Sequence, residues 1–502
     1  MIINITEYLD LTAEKYPDKL AFSDVKTSLT FAQLRDASRR IACGLIEDGL
    51  HKEPIVIFME KSPATIAANL AVVYSGNYYV TLDREMPKHR IEMIFEGLNP
   101  RAVICEESTY NLVEQFCKTN KIYIYDEIVK SDIDEASLTR VSVSAIDLDP
   151  VYIVFTSGST GVPKGITASH RAVIDYTENL SELLKANDTT VFGNQAPLYV
   201  DACLKELMNT IKNGATTYLI PREAFMFPVK LIEFLNTHKI NTICWVSSAL
   251  SMVAGLKTFE SVIPEHLKTI SFGSEMFPVK NLNIWRAALP RARFINLYGP
   301  TEATGMSCYY EIDREFSDEE KIPIGKPFRN TEIMLIDDND GIITKSDIKG
   351  EICIRGSCLS LGYYNDIKKT SESFTQTPAT KNYTDLIYHT GDLGCYNDRG
   401  ELVFISRKDY QIKHMGYRIE LPEIETVLLR NEEISLACCI HDKEKGKLIL
   451  YYTGKLTVSE VMIYLKEFLP RYMVPNRVFA LDEMPLTPGG KIDRVELYSR
   501  LI

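Results

Sequence analysis

No C-x-x-C pair occurs in the sequence, and its eleven cysteines, an odd number, are scattered along the chain. A disulfide framework and a structural zinc site therefore have little support, and reduced thiols in a cytoplasmic protein are expected. The eight histidines are equally dispersed, which removes the usual basis for a histidine-centred hydrolase. No run reaches the ~18 apolar residues that a membrane span needs. The opening stretch MIINITEYLDLTAEKYPDK carries acids early and lacks an apolar core, so it reads as neither leader nor anchor. A surplus of basic residues is missing too. The formal net charge is -12, which argues against nucleic acid as a partner but leaves room for a local basic groove around a nucleotide. Repeats, low-complexity tracts and Pro-rich linkers are absent.

What is present is an ordinary globular composition, 45% hydrophobic and 25% charged, over 502 residues. Single cores stop growing beyond ~250–300 residues, so two or more domains are expected. PIVIF, YYVTL, AVIC and YIVF read as buried strands, with helix-period segments such as Ile66–Tyr74 and Val229–Lys239 between them. That alternation predicts an α/β architecture with doubly wound parallel sheets and ligand sites at strand carboxyl ends. From about Asn330 the texture changes to short strands with frequent turns (EIMLID, GEICIRG, GELVFIS), a small barrel-like part. After ISRKDYQIKHMG comes a small α+β part with ELPEIETVLLR and VSEVMIYLKEFL as helices. The expected domains are residues 1–408 and 409–502, joined near Asp409.

The stretch VFTSGSTGVPKG packs Gly, Ser and Thr behind the apolar run YIVF. Glycines allow tight turns and close backbone approach, and the exposed N–H and O–H donors suit phosphate oxygens. Lys164 adds a movable positive charge. The spacing is not that of a P-loop, G-x-x-x-x-G-K-[ST]. Taken alone, the segment reads as a mobile surface loop.

Other segments change that balance. TSGSTGVPKG, NLYGPTEAT, GEICIRG followed by LGYY, YHTGDLG, RKDYQIKHMGYRIELPEIE, LPRYMVP and PLTPGGKIDR run in one order from Thr156 to Arg494. LTFAQL and YYVTLD extend the pattern toward the N-terminus. This series resembles the core motifs of the adenylate-forming superfamily, and is most similar to amino-acid adenylation domains of nonribosomal peptide synthetases and to D-alanine–carrier protein ligases.

The resemblance implies a two-step reaction using ATP and Mg²⁺. A carboxylate attacks the α-phosphorus to give an acyl-adenylate and pyrophosphate, and the phosphopantetheine thiol of a carrier protein then takes the acyl group. Thr156, Ser157, Gly158, Ser159, Thr160 and Gly161 would hold the β- and γ-phosphates beside Lys164. In the stretch Asn296, Leu297, Tyr298, Gly299, Pro300, the asparagine and tyrosine match positions at the adenine ring; Thr301 would touch the α-phosphate and Glu302 would ligate Mg²⁺. On its own T-E also suits a helix start. Asp392 matches the residue that accepts both ribose hydroxyls, with Arg407 supporting the ribose; Ser406 stands where the family has glycine. Lys491 matches the lysine that bridges substrate carboxylate and ribose–phosphate oxygens, and otherwise reads as a solvated hairpin tip. Asp409 matches the hinge about which the C-terminal part swings between the two half-reactions, with Lys413 on its second face.

In PLYVDACLKEL, Asp201 matches the family aspartate that pairs with a substrate ammonium; a helix N-cap is the plainer alternative. Burying an ammonium without a partner is costly, so an acid here fits an amino acid better than a fatty or aryl acid. The other pocket positions fall on Ala202, Lys205, Trp245, Ile270, Phe272, Leu297, Gly305 and Met306. The usual proline near CWVSSAL is missing. Large side chains there imply a small substrate, whereas Lys205 could receive a side-chain carboxylate or reach solvent. Phe272 stands where D-alanine ligases carry cysteine.

No carrier-protein serine motif and no condensation-type H-H-x-x-x-D-G occurs, so a stand-alone enzyme loading a separate carrier in trans is expected. A D-alanine–carrier protein ligase and an acyl- or aryl-CoA ligase of the same superfamily are the alternatives.

Overall fold

The computed structural model describes residues 1–117, 121–158, 161–317, 320–443, 445–487 and 492–500. The chain forms two compact units. The first comprises residues 1–84, 100–154 and 165–408; the second comprises 85–99, 155–164 and 409–502.

The first unit is built on large mixed sheets. In one, Pro54–Phe58 pairs in parallel with Tyr78–Thr81 and with Ala102–Cys105, and every residue of these strands is buried. Burial on both faces explains their unbroken apolar runs. The intervening helix Pro63–Tyr74 starts where Ser62 accepts from Thr65 N and proline takes the first turn; it is apolar nearly all round because it is buried nearly all round.

The other large sheet carries four adjacent parallel strands: β1 (Val191–Asn194), β2 (Thr242–Val246), β3 (Thr269–Gly273) and β4 (Arg293–Tyr298). Helix α1 (His170–Leu184) is capped by the Ser169 side chain, and α2 (Leu204–Asn213) ends on Gly214, whose φ of 68° is the left-handed value a helix terminus favours. These strands separate two cores. Cys244, Ile295 and Leu297 join a core with Tyr176, Cys203 and Leu204, whereas Ile243, Trp245, Ile270, Phe272 and Phe294 face a second core on α-helices Pro228–Thr237, Ser247–Gly255 and Val279–Ala288.

Beyond residue 330 the expected change of texture is met. Thr331–Ile336, Gly350–Gly356, Leu386–Tyr396 and Leu402–Arg407 form an antiparallel sheet. The doubly wound α/β reading holds for the large sheets.

In the second unit, Ile434–Asp442 pairs antiparallel with Lys447–Gly454, which pairs in parallel with Arg477–Ala480. Helices Leu421–Leu429 and Val458–Phe468 bury Ile424, Val427, Leu428, Val461 and Leu465 in its core, and a Thr457–Glu460 capping box opens the second. Arg90, on helix Lys88–Leu98, forms a buried ion pair with Glu423. Among the described residues all eleven cysteines are free thiols, and no helix is long and apolar enough to cross a membrane.

Candidate functional site

The first unit gathers most of the predicted side chains. β4 ends on Tyr298, whose hydroxyl donates to Asp392 Oδ2 at 2.6 Å. The register of the antiparallel sheet sets Asp392 opposite Arg407, and the guanidinium donates to Oδ1. Asp392 is thus a buried carboxylate held from both sides, with its own N–H donating to Thr390 Oγ1. Burial, with the adjacent Asp392 charge, raises the Tyr298 phenol and keeps it a donor. Asn296 is buried on the same strand and donates to Pro323 O at 2.8 Å.

After Tyr298 the chain turns sharply. A Cβ on Gly299 would come within 2.5 Å of Gly305 O and Met306 Cα, so only glycine fits that crossing. Pro300 leads into the single turn Thr301–Ala303. Glu302 is fully buried; its Oε1 accepts from Tyr363 OH at 2.8 Å and its carbonyl accepts from Ser360 N. A buried carboxylate is the kind of hard oxygen donor that Mg²⁺ prefers. The donor set therefore fits Mg²⁺.

The residues expected on the amino-acid side lie around the start of α2. Asp201 opens the turn Asp201–Cys203, which runs directly into α2. The hydroxyls of Tyr152 and Tyr176 are buried without a hydrogen-bond partner among the described residues, and the Asp201 charge reaches both. Tyr176 lies against Gly305, where a Cβ would sit 3.5 Å from the ring. Ala202 packs against the same core, as do Leu297 and Met306. Lys205 is 3% exposed. Its neighbour Glu206 is fully buried, accepts from Asn194 Nδ2 at 3.2 Å, and is pushed up to about 7 by burial.

Two predicted lining residues, together with Ile270, are corrected. Trp245 and Phe272 pack in the second core, the Trp245 indole donating to Gly193 O at 2.8 Å and the Phe272 ring lying 4.7 Å from that of Phe277 at a 55° tilt. Strand residues alternate faces, so placing Trp245 and Phe272 on one face puts Cys244 and Ser271 on the other. Cys244, not Trp245, borders the core that holds Tyr176 and Leu297.

The glycine loop belongs to the second unit. Ser157 Oγ donates to Arg418 O at 2.7 Å and accepts from Glu420 N; Gly158 N donates to Glu423 Oε2 at 3.2 Å. A carboxylate oxygen thus already sits on a loop N–H, the contact a phosphate oxygen would make. Gly161 adopts φ 77°, which favours glycine, and Lys164 Nζ lies 3.5 Å from Glu420 Oε1. Thr156 ends strand Pro150–Thr156, its hydroxyl buried without a partner among the described residues. Asp409 Oδ1 accepts from Gln411 N at 3.1 Å, and Lys413 lies on the hairpin strand Gln411–His414. Ser159, Thr160 and Lys491 lie outside the described residues.

Sequence reasoning missed Tyr363, Tyr152, Tyr176, Glu206 and Cys244. Tyr363 stands in the quoted LGYY, but nothing local ties it to Glu302. Elsewhere, Glu351, Cys353 and His389 bring three donor atoms within 4.8 Å, yet Lys408 Nζ lies 3.1 Å from Glu351 Oε2, supplying that carboxylate's cation.

The first unit thus carries a buried carboxylate, Glu302, and a Tyr298–Asp392–Arg407 cluster, and the second is a small α+β unit. Residues 9–364 match the family described as AMP-binding enzyme, and 423–491 match the AMP-binding enzyme C-terminal domain. The chain belongs to the AMP-binding enzyme family. Over 98% of its length it is 29% identical to tyrocidine synthase 1 of Brevibacillus parabrevis, of which it spans 45%. The chain therefore spans less than half the length of the first curated relatives it matches. In fold it is similar to the Vibrio cholerae adenylation domain AlmE, solved with glycyl-adenosine-5'-phosphate (TM-score 0.86, 19% identity, 100% of this chain and 98% of that one). It is also similar to a double-mutant o-succinylbenzoate CoA synthetase of Bacillus subtilis (TM-score 0.83, 22% identity, 98% of each chain).

Proposed function

We propose that this enzyme activates an amino acid with ATP as an aminoacyl-adenylate and transfers it as a thioester to the phosphopantetheine of a separate carrier protein. The observation that carries the reading is the half-buried Asp201 near two buried, unpartnered hydroxyls of Tyr152 and Tyr176, a setting that suits a substrate ammonium. The peptide-synthase relatives and the glycyl-adenylate bound by AlmE support it.

In the first step a substrate carboxylate oxygen bonds to the α-phosphorus and the bond to the β-phosphate oxygen breaks, releasing pyrophosphate. Asp201 holds the ammonium. Asn296 and Tyr298 border the adenine, Asp392 accepts from the ribose hydroxyls and Arg407 holds Asp392 in place. Thr301 meets the α-phosphate, and the Thr156–Gly161 loop with Lys164 holds the outer phosphates. Mg²⁺, ligated by Glu302, neutralises triphosphate charge when bound. Lys491 bridges carboxylate and phosphate, and Asp409 is the pivot that exchanges it for the thioester face bearing Lys413.

Amino-acid-dependent ATP–pyrophosphate exchange is the direct test. Lys491→Ala should lower it by ~10²-fold or more, the scale for a focused charge donor, with the fold intact by circular dichroism. Near-wild-type exchange in that variant would remove Lys491 from the chemistry. The second reading, a CoA ligase, is favoured by the fold shared with o-succinylbenzoate CoA synthetase. Thioester formation on free CoA, with none on a phosphopantetheinylated carrier, would decide for it.

A further inference from the structure

One carboxylate, Glu351, serves both the turn that presents Asp392 and the residue that precedes Asp409. Strands Gly350–Gly356 and Leu386–Tyr396 pair at Cys353–His389 and again at Glu351–Leu393. Between those pairs the single residue Ile352 meets three, Thr390, Gly391 and Asp392. Such a bulge interrupts the hydrogen-bond ladder and re-aims the side chain it carries, here the buried Asp392. Gly391 supplies the φ of 71° at the bend.

An N–H taken out of a ladder needs another acceptor. Glu351 provides it, its Oε1 accepting from Gly391 N at 2.8 Å. Thr390 Oγ1 donates to Ile352 O at 2.6 Å and secures the other side of the bulge.

The second oxygen of the same carboxylate has different partners. Oε2 lies 3.1 Å from Lys408 Nζ and 3.2 Å from His389 Nδ1. An ionised carboxylate only accepts, so His389 donates through Nδ1, and its Nε2 pairs with Thr375 Oγ1 at 3.0 Å. Burial opposes the charge on Glu351, but His389, the Gly391 N–H and Lys408 outweigh it and hold the carboxyl down at about 2. Lys408 is joined to the turn through its main chain as well, its N–H donating to Gly391 O at 2.8 Å. Its other ion pair, with Asp338 at 3.5 Å, involves a carboxylate 95% exposed and screened by water. Lys408 is the last residue of the first unit.

We propose that Glu351 is a positioning residue with two duties: one oxygen holds the bulge that aims Asp392 at the ribose, and the other fixes Lys408, from which the Asp409 pivot turns. Both duties rest on the roles proposed above for Asp392 and Asp409. ATP affinity and the balance of the two half-reactions thus depend on one side chain through different atoms.

Four variants separate the duties. Glu351→Gln keeps an oxygen for Gly391 N but offers Lys408 no charge. Lys408→Met removes the ammonium alone, Lys408→Arg retains a cation, and Glu351→Ala removes both contacts. Each variant is measured for its ATP dissociation constant, for ATP–pyrophosphate exchange and for thioester transfer to a phosphopantetheinylated carrier. Glu351→Ala should weaken ATP binding by about tenfold or more, whereas Glu351→Gln and Lys408→Met should stay within about threefold of wild type. Those two should lower transfer relative to exchange by about tenfold, and Lys408→Arg should keep the ratio near wild type. The double variant of Glu351→Gln with Lys408→Met should be no worse than either single one, because both cut the same contact. A merely structural carboxylate would lower thermal stability without moving the ratio of the half-reactions. An unchanged ratio in Glu351→Gln and Lys408→Met, or ATP binding by folded Glu351→Ala within threefold of wild type, would overturn the proposal. If Glu351→Ala does not fold, the ratio in the milder variants still decides. Wild type that shows no exchange with any amino acid would overturn the amino-acid reading instead. The same ratio, measured with the acyl or aryl acid that does support exchange and with free CoA as acceptor, would then decide this proposal.

Discussion

At His170 burial has a measurable electrostatic consequence. The imidazole is 3% exposed and its Nδ1 accepts from Ile5 N at 3.1 Å, an arrangement that requires the neutral ring. Burial pushes the group down to about 4, against opposing attraction from Asp149 and Asp147. The unfolded chain therefore binds the proton first as pH falls. The stabilising contribution is present in full above about pH 6.5 and is lost progressively as pH drops toward 4. The interval corresponds to about 3 kcal/mol. Urea unfolding at pH 7.5 and pH 5 should show a clear loss in wild type and a smaller one in His170→Gln, even though that variant is weaker at both. Equal losses in the two proteins would show that other groups dominate. None of this was legible in the sequence, where His170 is one scattered histidine among eight.

Among the secondary-structure elements, β2 shows how a fully buried run hides which face each residue takes. The run TICWV is entirely buried, so hydrophobic pattern alone offers no alternation from which to choose a side. Trp245 was expected in the pocket because its position in the sequence matches a pocket position of the family. The register with β3 and the hydrogen bond to Gly193 turn it away and bring Cys244 toward Tyr176. The two positions should therefore respond differently. Trp245→Ala should destabilise the first unit by about 3–5 kcal/mol, the range for emptying a buried aromatic site. Cys244→Leu should instead change relative exchange rates among amino acids by about tenfold at a modest stability cost. A panel in which only Trp245 variants alter amino-acid preference would reverse this assignment. By contrast, the two helices that end at Tyr74 and Phe468 were readable from their periodicity, and the structure adds the caps at Ser62 and Thr457.

The whole molecule divides into two units, and the glycine loop 155–164 clusters with residues 409–502 although it follows strand Pro150–Thr156 directly in sequence. The proposed chemistry assigns Asp409 a conformational role at the junction of Lys408 and the second unit. Proline at 409 would restrict φ and remove the freedom that a pivot needs. Asp409→Pro should lower one half-reaction at least about tenfold more than the other, measured separately as pyrophosphate exchange and as thioester transfer to a carrier. Equal loss of both would count against a pivot at this residue.

The sequence by itself determined the alternation of strands and helices, the change of texture near residue 330 and the ordered motifs that mark the family, because periodicity, capping and turn chemistry are local properties. Only the tertiary structure decided that Tyr363 holds Glu302, that Tyr298 and Arg407 grip Asp392 from two sides, and that Lys205 is buried without an ion pair among the described residues. Those contacts join residues 15 to 94 positions apart. Which faces meet is set by strand register and by competition for the core, and no local stretch of chain encodes that choice.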